Sequence, residues 1–388
     1  MPNPADTAFP MRALLAGARR KERSLLDLAR KLVQAESPSD SKSAVDACVA
    51  LAAAHLRQLG GRIKLHRQQA QGNALEARFG PRSSERTSAK PILLLGHLDT
   101  VWPLGTLQSM PCRVRNGRLW GPGTLDMKVG VAMAATAIEL LIEAYLLRRE
   151  IILLLNSDEE IGSPVLRPIT ENLARQCSAV YVLEPAQGLA YKTARKGIGD
   201  WRIQVKGVAA HAGVDFEKGA NALRELAHAI ETVSGWTDLK RGLTVSVGVA
   251  AGGTKSNVVP AQASAHVDVR IPRLADAARI ERRFAALRPA DPRCTLTVTG
   301  GINRPPMERS RGTVRLFRKA HALAHELGFE LNEASTGGGS DGNFTAVLGI
   351  PTLDGMGAVG EGAHSQHESV FIEHLALRTA LLAGMLMG

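Results

Sequence analysis

The sequence predicts an α/β protein: a mixed sheet covered by helices, interrupted by a ferredoxin-like α+β insertion. Three observations carry this. Short continuous apolar runs, "PILLL" (91–95), "IILLL" (151–155) and "AVYVL" (179–183), alternate with helical segments, the pattern of strands buried on both faces. Near Gly197 the texture changes to strict apolar–polar alternation, the mark of strands with one wet face. After about residue 306 the chain returns to helical and apolar segments through 388.

Taken in order, "RSLLDLARKLVQAES" (23–37) has helical apolar spacing and stops before Pro38. "AVDACVALAAAHLRQLG" (44–60) is a second helix ending at Gly60 and Gly61. A strand at 91–95 follows, then a helix over 130–147, and two strands over 150–156 and 179–183. In "DWRIQVKG" (200–207), Trp201, Ile203 and Val205 share one face, and Arg202, Gln204 and Lys206 the other. A helix, "GANALRELAHAIETVS", precedes two more alternating strands, "LTVSVGVAAG" and "SAHVDVRIP". Then come a helix, "LADAARIERRFAALR", and a strand, "CTLTVTG". The order β-α-β-β-α-β is that of a ferredoxin-like unit. The expected organisation is a first domain in two parts, 1–196 and 307–388, around an insertion over 197–306.

The 388 residues carry a net charge of +11. Such a charge suits nucleic acid or an acidic small molecule. Aromatic residues make up only 4%, so platforms for stacking single strands are scarce. Ordinary solvated surface accounts for most of the charge, and some of it can steer acidic substrates. Cys48, Cys112, Cys177 and Cys294 show no CxxC spacing and read as reduced thiols. The N-terminal stretch has no long apolar run, so the expectation is a cytoplasmic chain with no membrane span.

Candidate chemistry collects where the apolar runs end. "ILLL" leads to His97 and Asp99, "IILLL" to Asp158, Glu159 and Glu160, and "VYVL" to Glu184. In open α/β sheets, ligands bind beyond the carboxyl ends of the strands. Asp126 lies in a glycine-rich turn, "WGPGTLDMKVG", and His364 in "GEGAHSQHES". Imidazole with carboxylate suits Zn²⁺ or another divalent first-row metal. A carboxylate-rich set can bridge two metals about 3.5–4 Å apart. Singly, each residue also has a structural reading as a helix cap, a turn residue or a surface histidine. Their joint placement at strand ends favours a metal hydrolase.

These residues are embedded in nine ordered motifs: "GHLDTVWP", "GPGTLDMKVG", "NSDEEIGS", "VLEPA", "GVAAHAG", "GANAL", "SNVVPAQASAHVDVR", "TGGGSDGN" and "GAHSQHE". In this order they resemble the co-catalytic zinc metallopeptidase family of aminoacylases and glutamate carboxypeptidases. "TGGGSDGN" and Arg304 look most like its bacterial folate-cleaving glutamate carboxypeptidase branch. The resemblance covers nearly the whole chain and implies a zinc-peptidase-type catalytic domain with an inserted lid and dimerisation domain. It also implies two Zn²⁺ per chain. His97 and Glu184 would hold one, Glu160 and His364 the other, and Asp126 would bridge them. Glu159 would be the general base, and Asp99 would hold His97 in one tautomer. His211 would stabilise an oxyanion in the active site of the partner subunit of a homodimer. Arg270, Asn257 and Arg304, with backbone N–H groups of Gly338 and Gly339, would bind the substrate. Position 127 is methionine where the folate-cleaving branch carries an acid.

The expected activity is hydrolysis of a small anionic amide or peptide, releasing a C-terminal amino acid, glutamate by resemblance. An N-acyl-amino-acid deacylase or a dipeptidase would use the same machinery. A non-enzymatic basic binding protein, for nucleic acid or a membrane surface, is opposed by the intact ligand set.

Overall fold

A computed structural model describes residues 4–80 and 89–387, with side chains from Pro10 onward. The chain divides into two compact units, Met1–Ala194 with Arg309–Ser335 and Ser340–Gly388, and Arg195–Glu308 with Thr336–Gly339. The sequence reading ended the insertion at 306 and did not include the glycine-rich 336–339 stretch. Backbone and side-chain bonds explain its membership: Lys196 N donates to Thr336 O (3.0 Å), and Arg195 Nη1 donates to the carbonyls of Gly338 and Gly339.

The first unit holds a six-stranded sheet in the order Arg62–His66, Ala74–Phe79, Ile151–Asn156, Ile92–His97, Ala179–Val182, Thr352–Leu353. Ile92–His97 runs parallel to both of its neighbours, whereas Ala74–Phe79 is antiparallel to Ile151–Asn156, so the sheet is mixed. Every residue of Ile92–His97 and of Ile151–Asn156 is buried. Successive side chains of a strand face opposite ways, and the core divides accordingly. Leu94, Leu153 and Tyr181 join the cluster containing the helices Pro4–Gln34, Val129–Glu143 and Leu375–Leu386. Leu93, Ile152 and Val180 join the cluster containing the helix Arg167–Gln176. A strand covered on both faces requires the uninterrupted apolar run seen in the sequence.

The first helix spans Pro4–Gln34 rather than starting near Arg23. Pro10 lies inside it, and a proline there breaks the sequence pattern. Met11 is nevertheless fully buried and packs directly on Gly384 of the C-terminal helix, where an added methyl would meet its Sδ at 2.7 Å. Tertiary packing overrides the local signal. The third helix ends at Glu143, four residues short of the expected 147, and Tyr145 adopts positive φ just beyond it.

The second unit contains a four-stranded antiparallel sheet in the order Thr244–Gly252, Gln262–Ile271, Gly197–Lys206, Thr295–Arg304. With the helices Ala222–Ser234 and Leu274–Ala285 in their chain positions, the connectivity is β-α-β-β-α-β. Trp201, Ile203 and Val205 point into its core, and the Trp201 ring stacks on Phe284 with centroids 4.3 Å apart. Arg202 and Lys206 on the opposite face are exposed.

Among the described residues, no helix is long and apolar enough to cross a membrane. All four cysteines are free.

Candidate metal centre

The parallel strands of the first unit deliver His97 and Glu184 at or just beyond their carboxyl ends, and the 3₁₀ turn Glu159–Ile161 follows the strand Ile151–Asn156. A second small sheet brings the remaining ligands. Gly360–Glu361 and Ser369–Phe371 form a hairpin whose loop carries His364. Ser369–Phe371 also pairs with Arg118–Trp120, the strand that leads into the glycine-rich turn before Asp126. Gly123 in that turn has φ +69°, and an added Cβ would stand 2.6 Å from Thr100 Cγ2, so only glycine fits. The Asp126–Met127 peptide is cis.

The two oxygens of Asp126 diverge. Oδ1 lies 3.2 Å from His97 Nε2, and Oδ2 lies 3.4 Å from His364 Nε2. On the His97 side, Glu184 Oε1 is 3.8 Å from the same Nε2. On the His364 side, Glu160 Oε2 is 3.2 Å from His364 Nε2. Ligand atoms of His97, Asp126 and Glu160 lie within 4.8 Å of one another, as do those of His97, Glu159 and Glu184. His97, Asp99, Glu159 and Glu184 are buried, Asp126 and Glu160 nearly so, and His364 is half-exposed.

This donor set fits a pair of divalent cations. Asp126 and Glu160 lie together around His97 and His364, and carboxylates gathered away from water are costly. Glu160 Oε1 is buried with no hydrogen-bond partner. Hydrogen bonds that His364 donates to Asp126 and Glu160 push its pKa up to about 10 against the effect of its burial. For His97, burial acts downward, but its bonds to Asp126 and Asp99 win and raise it well above the ordinary value. Glu160 shifts upward, first because of its burial. Each shift favours the protonated form, the direction expected where several carboxylates crowd together.

Asp99 meets His97 through both its carbonyl and its carboxylate, and it also bonds the turn that follows the neighbouring strand. His97 Nδ1 donates to the backbone carbonyl of Asp99 (2.9 Å), while the carboxylate Oδ1 is 3.4 Å away. The carboxylate also accepts from Ser39 Oγ at 2.8 Å, Glu160 N at 3.1 Å and Glu159 N at 3.3 Å. Carbonyl and carboxylate of Asp99 thus both face the imidazole, and the carboxylate also anchors the turn bearing both glutamates. Asp158, the first acid of "DEE", caps the following turn through Val165 N and Leu166 N. Burial raises its pKa to about 6. Met127 places Sδ 3.1 Å from His97 N, beneath the strand end.

The second unit carries the other expected residues. His211 is exposed, and its Nδ1 accepts from Gly213 N and Val214 N (both 3.2 Å). In the neutral ring this puts the proton on Nε2. Ala212 N donates to Asn257 O (3.0 Å), tying the two loops together. One edge of the Arg270 guanidinium is already taken: Nε and Nη2 bond Asp268 at 2.8 and 2.9 Å, and Nη1 reaches Gly337 O at 3.3 Å. Arg304 is buried, and Gly339 lies on its stem, where an added Cβ would meet Arg304 Cδ at 2.9 Å. The carbonyls of Gly338 and Gly339 face Arg195.

Sequence reasoning missed Ser39, Trp102 and Glu368. Glu368 is fully buried and accepts from Leu125 N (2.8 Å) and Asp126 N (3.1 Å) on Oε1, and from Gly123 N (3.0 Å) and Trp102 Nε1 (2.9 Å) on Oε2. Its place four residues after His364 was the available signal.

Residues 93–388 match peptidase family M20/M25/M40. Carboxypeptidase G2 of Pseudomonas sp. is 30% identical over 384 residues, covering 96% of this chain and 91% of the relative. A succinyl-diaminopimelate desuccinylase of Stenotrophomonas maltophilia is 28% identical, covering 91% and 95%. Among solved structures, aminopeptidase PepT of Bacillus cereus superposes with a TM-score of 0.78 at 22% identity, covering 94% of this chain and 98% of that one. On the family match and the near full-length relative, the chain belongs to peptidase family M20/M25/M40 and is a metal-dependent peptidase or amidohydrolase.

Proposed function

We propose that the chain is a dinuclear hydrolase, with Zn²⁺ as the expected pair, that releases a C-terminal glutamate from an N-acyl or peptidyl substrate. The observation that carries this reading is the divergence of the Asp126 oxygens between His97 and His364, with Glu159 beside His97 and Glu184. When bound, two cations lower the pKa of a water and polarise the scissile carbonyl. Glu159 takes the proton of the attacking water and returns it to the leaving amine. Its side chain is buried and its backbone is anchored on Asp99, which suits a base that must act from one position.

The remaining roles rest on the resemblance and on local chemistry. His211 donates from Nε2 to the developing oxyanion, supplied to the site by the partner subunit of a homodimer. The two backbone donors on its Nδ1 support that tautomer. Arg270, with Asn257, Arg304, Gly338 and Gly339, binds the substrate carboxylate. Asp268 holds one edge of Arg270, so the carboxylate meets the Nη1 end. The net charge of +11 favours an anionic substrate.

A second reading, N-acyl-amino-acid deacylation, is favoured by the desuccinylase relative. Elemental analysis of wild type and Glu159→Ala tests the core of the proposal. Two metals per chain retained in the variant, with hydrolysis lost, is the expected outcome; near-normal hydrolysis removes Glu159 as the base. Rates on N-acylglutamates, acetyl amino acids, N-succinyl amines and dipeptides, run side by side, decide the substrate. Faster turnover of the acetyl or succinyl compounds replaces the glutamate reading with the second.

A further inference from the structure

We propose that Glu368 is a positioning residue that fixes the backbone of the Asp126 turn and so sets where the Asp126 carboxylate stands between His97 and His364. The inference rests on the dinuclear reading of the site. Its basis is the arrangement of four N–H donors around one fully buried carboxylate, two to each oxygen. The donors come from two ligand-bearing segments. Trp102 follows His97 and Asp99, and Gly123, Leu125 and Asp126 form the turn itself. Glu368 belongs to the segment that carries His364. One side chain thereby joins three stretches of chain that each contribute to the metal cluster.

The chemistry requires a carboxylate. Every group facing Glu368 in these bonds is a donor, and an ionised carboxylate offers about four acceptor positions and no hydrogen of its own. A glutamine of the same shape would turn an NH₂ against either the Leu125 and Asp126 N–H groups or those of Gly123 and Trp102. The register reinforces the placement. Ser369 pairs with Trp120, and Gly121 N donates to the Glu368 carbonyl (3.4 Å), so main chain and side chain both anchor the turn. Asp126 has extended rather than helical torsions inside a helical-looking turn (φ −115°, ψ 91°). The bond from Asp126 N to Glu368 Oε1 engages the backbone at that residue. Residues that orient metal ligands in this way typically tune metal affinity by about 10–100-fold.

The test is chelator competition for Zn²⁺ and Co²⁺ on purified full-length protein, wild type against Glu368→Gln and Trp102→Phe, with thermal melts of the metal-free forms. Wild type must first bind two metals per chain; if it binds none, the dinuclear reading fails and this inference fails with it. Given two metals, Glu368→Gln is expected to weaken binding about 10–100-fold. With saturating metal its kcat is expected to fall while KM stays within about 3-fold, because the substrate-binding groups are untouched. Trp102→Phe removes one donor of four and is expected to lose several-fold in affinity. If Glu368→Gln does not fold, Trp102→Phe carries the test alone. Wild-type metal affinity in the folded variant, with only a lowered melting temperature, would reduce Glu368 to a structural residue and overturn the proposal.

Discussion

Asp99→Asn separates two roles that a buried aspartate near a metal histidine can have. The ring of His97 is held by the Asp99 backbone carbonyl, which the substitution leaves in place. The carboxylate is held by Ser39 Oγ, Glu160 N and Glu159 N. An asparagine keeps one oxygen, best used at the Oδ2 position, where it retains the first two donors. Its NH₂ then faces Glu159 N and His97 Nδ1, donor against donor. One lost charge-assisted bond and one unsatisfied buried N–H together cost about 2–5 kcal/mol of folding stability. The same repulsion moves the Glu159 turn, and misplacement by about 1 Å can lower rate about 100-fold. The assay is kcat and KM at saturating metal, with metal content and urea midpoint on the same samples. The expected result is kcat down about 100-fold, two metals retained, and a lower midpoint. Loss of one metal, with normal kcat once it is restored, would refute this and return the carboxylate to orienting His97.

Three further outcomes follow from the same structure. Glu159→Ala and His211→Ala, each inactive alone, are expected to regain about a quarter of wild-type activity when mixed and allowed to exchange subunits, since half the dimers are then mixed and carry one intact site; no recovery sinks the donation of His211 across a dimer. Lys319 has its pKa pushed down to about 8 by burial. The unfolded chain therefore holds more protons between about pH 8 and 10.5, and stability rises with pH across that window. Lys319→Met is expected to be more stable than wild type at pH 7 by about 1–2 kcal/mol after allowance for partial exposure, with the gain vanishing near pH 10.5; a gain independent of pH would show that packing, not charge, is responsible. Chelation is expected to lower the melting temperature and Zn²⁺ or Co²⁺ to restore it, because a ligand bound only by the folded state stabilises it by about 4 kcal/mol at a thousand times its dissociation constant; an unchanged melting curve would mean the acids are accommodated without cations.

The parts of this structure that were legible in the sequence are those set by period and by strand ends. The all-apolar runs at 92–95 and 151–155 are strands covered on both faces, because only burial on both sides permits leucine and isoleucine at successive positions. His97 stands at the last position of its strand, and Glu159, Glu160 and Glu184 follow theirs within a few residues. The early start of the first helix was hidden by Pro10, whose local cost is overcome by packing of Met11 on the C-terminal helix. The role of the Asp99 carboxylate was hidden for a different reason. A spacing of two puts side chains on one face of an extended segment, which suggested contact with His97, and Oδ1 does lie 3.4 Å from His97 Nδ1; the further partners, Glu159 N and Glu160 N, are backbone groups 60 and 61 positions away. The position of Glu368 four residues after His364 was visible, but its role was not, because its partners lie 242 to 266 positions away and three of the four are backbone groups, which leave no residue-type signature.

Those hidden residues share a property that bears on how the centre works. Asp99 and Glu368 are fully buried carboxylates that bond backbone N–H groups in the turns carrying Glu159, Glu160 and Asp126. Neither is among the groups whose atoms cluster at ligand distances. Backbone N–H donors favour the charged form of a carboxylate; for Asp99, burial is outweighed by the bonds from His97 and Ser39 and that from Glu160 N, which lower the pKa, whereas burial of Glu368 outweighs its donors and raises it. The site therefore contains two kinds of acid: those bonded to the protein's own N–H donors, which fix the loops, and those whose oxygens gather within ligand distance of one another. Glu160 belongs to both loops of this logic, its N–H anchored on Asp99 and its Oε1 buried without a partner. The backbone is satisfied where rigidity is required, and the side-chain oxygen is unsatisfied where a metal belongs.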